Sequence, residues 1–97
     1  MNDDETPAEA RYWAWLASSK HFARLPGVLE HDVLALDRYG ASGGPGSGLA
    51  ALIRFALGVW NARTDWLSGP FRVDDVQVLD ADGRAWIAEW FQEPWFP

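Results

Sequence analysis

A chain of 97 residues fits one domain, near the size at which a single core holds without metals or disulfides. It contains no cysteine, which excludes disulfides, zinc–thiolate sites, iron–sulfur clusters and thiol nucleophiles together and is in keeping with a reducing, cytoplasmic compartment. Fourteen acidic against eight basic side chains give a net charge of −6, which repels phosphate backbones and argues against direct nucleic-acid binding.

Residues 1–5 are acidic, unlike the basic opening of a secretory signal, and read as a disordered lead into one domain over residues 6–97. Structure is expected to begin at Thr6-Pro7-Ala8-Glu9, a capping box with proline at the first helical position. From there Tyr12, Trp15, Leu16, Ser19, Phe22 and Ala23 follow the spacing of a buried helical stripe. A first helix is therefore predicted over residues 7–24, ending before Leu25-Pro26-Gly27. A second helix fits residues 28–39, with Leu29, Val33 and Leu36 on one face and Glu30, His31, Asp37 and Arg38 on the other. Gly40 is placed as its C-terminal cap. The segment 40–48 holds five of the nine glycines and reads as a flexible loop.

A third helix opens after Ser47 or Gly48 and ends between Asn61 and Leu67, with Ser68-Gly69-Pro70 as the stop. Leu49, Leu52, Ile53, Ala56, Leu57 and Trp60 share one face, with Phe55 and Val59 beside it. Only a strip through Ala51, Arg54, Gly58 and Asn61 is left for solvent or close packing, which puts this helix at the centre of the fold. Even this most apolar stretch falls short of the roughly 20 residues that span a bilayer, and no membrane segment is predicted. Beyond Pro70 the period changes. Phe71, Val73, Val76 and Val78 alternate with polar residues, with a slip at Asp74-Asp75, and Asp80-Ala81-Asp82-Gly83 supplies turn chemistry. Residues 84–91 return with Trp86, Ala88 and Trp90 on one side and Ala85, Ile87 and Phe91 on the other. The predicted fold is α+β: three helices followed by a C-terminal β-hairpin. A helix over residues 84–92, pairing Trp86 with Trp90 one turn apart, is the rival reading.

No residue set is assigned to catalysis, a metal or a cofactor. The glycine run before the third helix lacks the lysine and the preceding strand of a P-loop. A calcium loop centred on Gly83 would use Asp80, Asp82 and Glu89 but places Val78 where the first carboxylate belongs. His21 and His31 show no ligand spacing and are expected to face solvent, and the serines show no nucleophile elbow.

What stands above background is a surplus of seven tryptophans. Trp86, Trp90, Trp95 and Phe96 are interleaved with Glu89 and Glu93, and Asp74, Asp75, Asp80 and Asp82 precede them. Aromatic rings beside carboxylates point to a contact surface, because a Trp ring buries a large area while losing few rotamers. The competing reading is that the rings fill a small core and that Trp95 and Phe96 pack back onto it. The function expected is a non-enzymatic, acidic protein–protein interaction module that presents these residues to a basic protein partner, with a two-fold homodimer as the simplest assembly. The alternatives are an acidic inhibitor of the phage-inhibitor or immunity-protein type, masking a basic nucleic-acid-binding surface, and a sugar-binding module on exposed Trp faces. Burial of the third helix carries a test: Leu57→Ala is expected to cost about 2–5 kcal/mol in a denaturant titration, and a loss below about 1 kcal/mol would mean that the face is misassigned.

Overall fold

In the computed structural model of the protein, which describes residues 5–97, the capping box opens the first helix, α1, Pro7–Ser18. The Thr6 hydroxyl accepts from the Glu9 amide at 3.1 Å, and the Glu9 carboxylate accepts from the Thr6 amide at 2.8 Å. The expectation of disorder over residues 1–5 falls largely outside the described residues. Glu5 itself is engaged, its carboxylate 2.7 Å from His31 Nδ1.

α1 stops well before residue 24, and the cause is local. The Ser18 hydroxyl donates to the Trp15 carbonyl, and Ser19 Oγ accepts from the His21 amide, so two adjacent serines compete with helical backbone bonding. A turn on the Ser19 carbonyl then carries Phe22 into the core. The second helix, α2, Val33–Ala41, also begins later than expected, at an Asp32 cap whose carboxylate accepts from the Ala35 amide. Before it, Gly27 holds a φ of +91°, and a Cβ there would lie 2.4 Å from the Asp32 carbonyl oxygen. Only glycine lets the chain fold so tightly over the first turn of α2. Gly40 is not a cap. It lies within α2, where a Cβ would meet Ile53 Cγ2 at 2.8 Å, so its missing side chain sets the distance between α2 and the next helix.

That helix, α3, Ser47–Asn61, takes the central position expected of it. Ala51, Leu52, Ile53, Phe55, Ala56, Leu57 and Val59 are all buried. α1 is fastened to it by the Tyr12 hydroxyl, which donates to the Ala56 carbonyl at 2.7 Å. Burial pushes that hydroxyl's pKa far above its ordinary value.

The predicted hairpin is absent, and the fold is all-helical: among the described residues there is no strand. The segment that alternates like a strand is a 3-10 helix, Val73–Val78. The parity slip at Asp74-Asp75 marks its first turn, where the Asp75 carboxylate accepts from the Arg72 amide at 2.8 Å. Asp80 is an N-cap rather than a hairpin-turn residue. Its carboxylate accepts from the Gly83 amide at 2.7 Å and opens α4, Ala81–Gln92, the rival helical reading of this stretch. Helical geometry brings Gly83, Ile87 and Trp90 to one buried face, which strand geometry would have split between two. The physical reason is burial. An isolated two-stranded hairpin is marginal in water, whereas a helix with caps at its start can lay one stripe on α3. Among the described residues no helix is long and apolar enough to cross a membrane.

The irregular segment between α3 and the 3-10 helix is held from α2. Asp37, expected on a polar face, is 4 % exposed, and its two carboxylate oxygens accept from the Leu67 and Ser68 amides at 3.0 and 2.9 Å. Ser68 Oγ donates back to the Asp37 carbonyl. Asp37→Ala leaves both amides without a partner and is expected to cost about 2–4 kcal/mol in a urea titration. Hydrogen exchange at Leu67 and Ser68 should accelerate while the α3 amides stay protected.

Candidate functional site

The acidic residues of the C-terminal half do not gather into one surface. Asp75 reaches α3, where Arg54 grips it with Nη2 at 2.8 Å and Nε at 3.2 Å. Asp82 pairs with Lys20 across the molecule, Asp80 caps α4, and Asp74 lies 3.8 Å from the Arg72 guanidinium on an exposed turn. Lys20 and Asp82 each hold the other in its charged form: the hydrogen bond raises the Lys20 pKa and lowers that of Asp82. Four of the predicted site residues therefore have partners within the chain. Glu89 and Glu93 are different. Both are exposed, and neither makes a hydrogen bond or ion pair among the described residues.

The tryptophans also divide. Trp90 is 8 % exposed, and its indole N–H donates to the Trp95 carbonyl at 3.1 Å, which ties the tail back onto α4. Trp86 stacks face to face on Trp15 of α1, with centroids 4.4 Å apart and planes 10° from parallel, and it also meets the buried Phe22 and Phe55. Trp95 stands edge-on to Trp15 at 5.3 Å, and the Arg11 guanidinium lies 4.1 Å from the centre of its ring. Trp86, Trp90 and Trp95 thus link α1 to α4 and the tail. The rings left in solvent at this end are Phe91 and Phe96, 57 % and 65 % exposed, each edge-on to Trp90 at 5.2 and 5.3 Å.

Between α1 and the end of α4 lies a cleft of about 620 Å3. Arg11, Trp15 and Ser18 form one wall, and Glu89, Gln92, Glu93 and Trp95 form the other. The α1 wall was not assigned from the sequence, although Arg11, Trp15 and Ser18 recur at the i, i+4, i+7 spacing of one face. Nothing in the sequence tells which distant element such a face meets.

The electrostatics of this end are uncompensated. Glu89 and Glu93 stand one turn apart at the C-terminal end of α4, where the helix dipole is negative, and the last turn carries no basic residue. Arg11, the nearest cation of the cleft wall, is engaged with the Trp95 ring and pairs with neither glutamate. The end therefore carries both a like-charge pair and an unfavourable dipole contact.

Other chemistry finds little here. Among the described residues no group of three or more His, Cys, Asp or Glu side chains is placed to hold a metal ion. His31, expected to face solvent, is exposed but lies flat on Trp13, with centroids 5.3 Å apart. No protein-family model, no curated protein and no solved structure matches the chain, which leaves its own chemistry as the guide to its role.

Asp75 makes the structural use of these acids testable. Burial pushes its carboxyl up, but the Arg54 hydrogen bonds, the Arg72 amide and the charges of both arginines outweigh this, so its pKa lies below the ordinary 3.8. A carboxylate with a depressed folded pKa contributes stability above its unfolded pKa and loses it as the pH falls through the folded value. Asp75→Asn is therefore expected to destabilise the protein by at least about 1 kcal/mol at neutral pH, with the gap to wild type closing in urea titrations as the pH falls through the depressed folded pKa, below the ordinary 3.8.

Proposed function

We propose that the chain is a non-enzymatic interaction module that docks a basic protein partner on the C-terminal end of α4 and its tail. The observation that carries this reading is the unpaired glutamate couple, Glu89 and Glu93, at the negative end of a helix whose last turn and following tail also expose Phe91 and Phe96. A cationic partner would relieve the like-charge and dipole cost, and the two phenylalanines supply apolar area for contact. Exposed aromatic anchors with a charged rim are the usual composition of a docking patch.

The same charges weigh against a two-fold homodimer through this end, because the patch would face its own glutamates. The inhibitor reading is the case in which the basic surface covered is one that binds nucleic acid, and it rests on the same two residues. The sugar-binding reading has less support: the Trp95 ring is covered on one side by Arg11, and Trp15 is stacked on Trp86.

The test is affinity capture with the full chain, followed by quantitative binding of the captured protein. Phe91→Ser with Phe96→Ser is expected to weaken binding by at least about tenfold with an unchanged far-UV spectrum. Glu89→Gln with Glu93→Gln should lower the association rate and flatten its dependence on salt. The proposal fails if no protein is retained or if both double variants bind as wild type.

A further inference from the structure

The second site lies on the opposite requirement, an absent side chain. Within the helices, Gly40, Gly48 and Gly83 each sit where an added Cβ would press on a neighbour, at 2.5 Å from Ser68 Oγ, 2.9 Å from the Val78 carbonyl and 3.2 Å from Asp80 Oδ1. Gly58, in the last turn of α3, does not: a Cβ there would meet nothing within 4 Å among the described residues. Glycine weakens a helix relative to alanine, and no contact among the described residues requires it at this position.

The bare backbone at Gly58 helps line a groove of about 530 Å3, within the range of small-molecule sites. Two aromatic walls are already set. The Trp66 indole N–H donates to the Asn61 carbonyl at 2.9 Å, which fixes its ring, and Phe71 stands edge-on to the buried Phe55 at 5.4 Å. Arg54 and Arg63 also line the groove and outnumber Asp65, its one acid. Arg54 is committed to Asp75, whereas Arg63 makes no ion pair among the described residues. In a chain of net charge −6, a groove that joins an available guanidinium to two aromatic rings is a local exception to the general field.

We propose that this groove binds a flat aromatic carboxylic acid, its ring lying over Gly58 against Trp66 and Phe71 and its carboxylate on Arg63. The ring needs the close approach to helix backbone that only glycine allows, and the planar guanidinium matches a carboxylate in a two-point contact. The site is separate from the α4 end and does not depend on a protein partner.

Titration of the isotope-labelled chain with 1-naphthoate tests it, read at the Trp66 indole N–H and the Gly58 amide. A saturable shift of both signals is expected. Arg63→Gln, in an exposed turn, should weaken it by at least about tenfold, and Gly58→Leu should abolish it while leaving the melting temperature equal or higher. The proposal is overturned if no saturable shift occurs, if 1-naphthylmethylamine binds as well as the acid, or if Arg63→Gln binds as wild type. Should Gly58→Leu fail to fold, the Arg63→Gln comparison decides alone.

Discussion

One helix that is apolar around most of its circumference has to be covered, and the rest of the molecule is arranged to cover it. α3 leaves only a narrow strip for solvent, so α1, α2, the 3-10 helix and α4 are all placed by what they can lay against it. The covering elements are short, and the segments between them are irregular. Large rings make up the difference. Tyr12, Trp13, Phe22, Trp86 and Trp90 each shield more area than an aliphatic side chain would, and they contact one another edge-on and face-on around Phe55 and Trp15. The tryptophan surplus thus follows in large part from the need to close a core with little chain.

The polar groups follow the same logic. The Tyr12 hydroxyl is buried only because the Ala56 carbonyl accepts its hydrogen bond, and the Asp37 carboxylate is buried only because two backbone amides need an acceptor. Among the described residues no buried side-chain polar atom is left without a partner. Net acidity is therefore a poor guide to where a charge acts. Asp75, Asp80 and Asp82 shape helix starts and cross-links, whereas Glu89 and Glu93 stand unpaired among the described residues at the end of α4, where the fold gains nothing from them.

The mistaken hairpin has a physical lesson in its details. Asp80 and Gly83 are as well suited to a tight turn as to a helix start, because an aspartate that accepts from an amide three residues on satisfies the same backbone need in either setting. Val73, Val76 and Val78 recur as the apolar positions of this segment, yet none of the three is buried, so their pattern never served a buried face. Periodicity over so few residues reports a face only when there is a core for that face to meet.

Local chemistry in the sequence was enough for the Thr6 capping box and for the start and centrality of α3, because those depend on neighbours within a turn or two. The charge, the lack of cysteine and the concentration of aromatics were likewise open to view. Tertiary structure decided the rest. It made residues 81–92 a helix so that Ile87 and Trp90 could reach α3. It turned Asp37 inward to hold a distant loop, and it brought Gly58, Trp66 and Phe71 to one groove. Those outcomes rest on contacts between residues far apart in the chain, and the free energy of such contacts is carried by burial that no local pattern encodes.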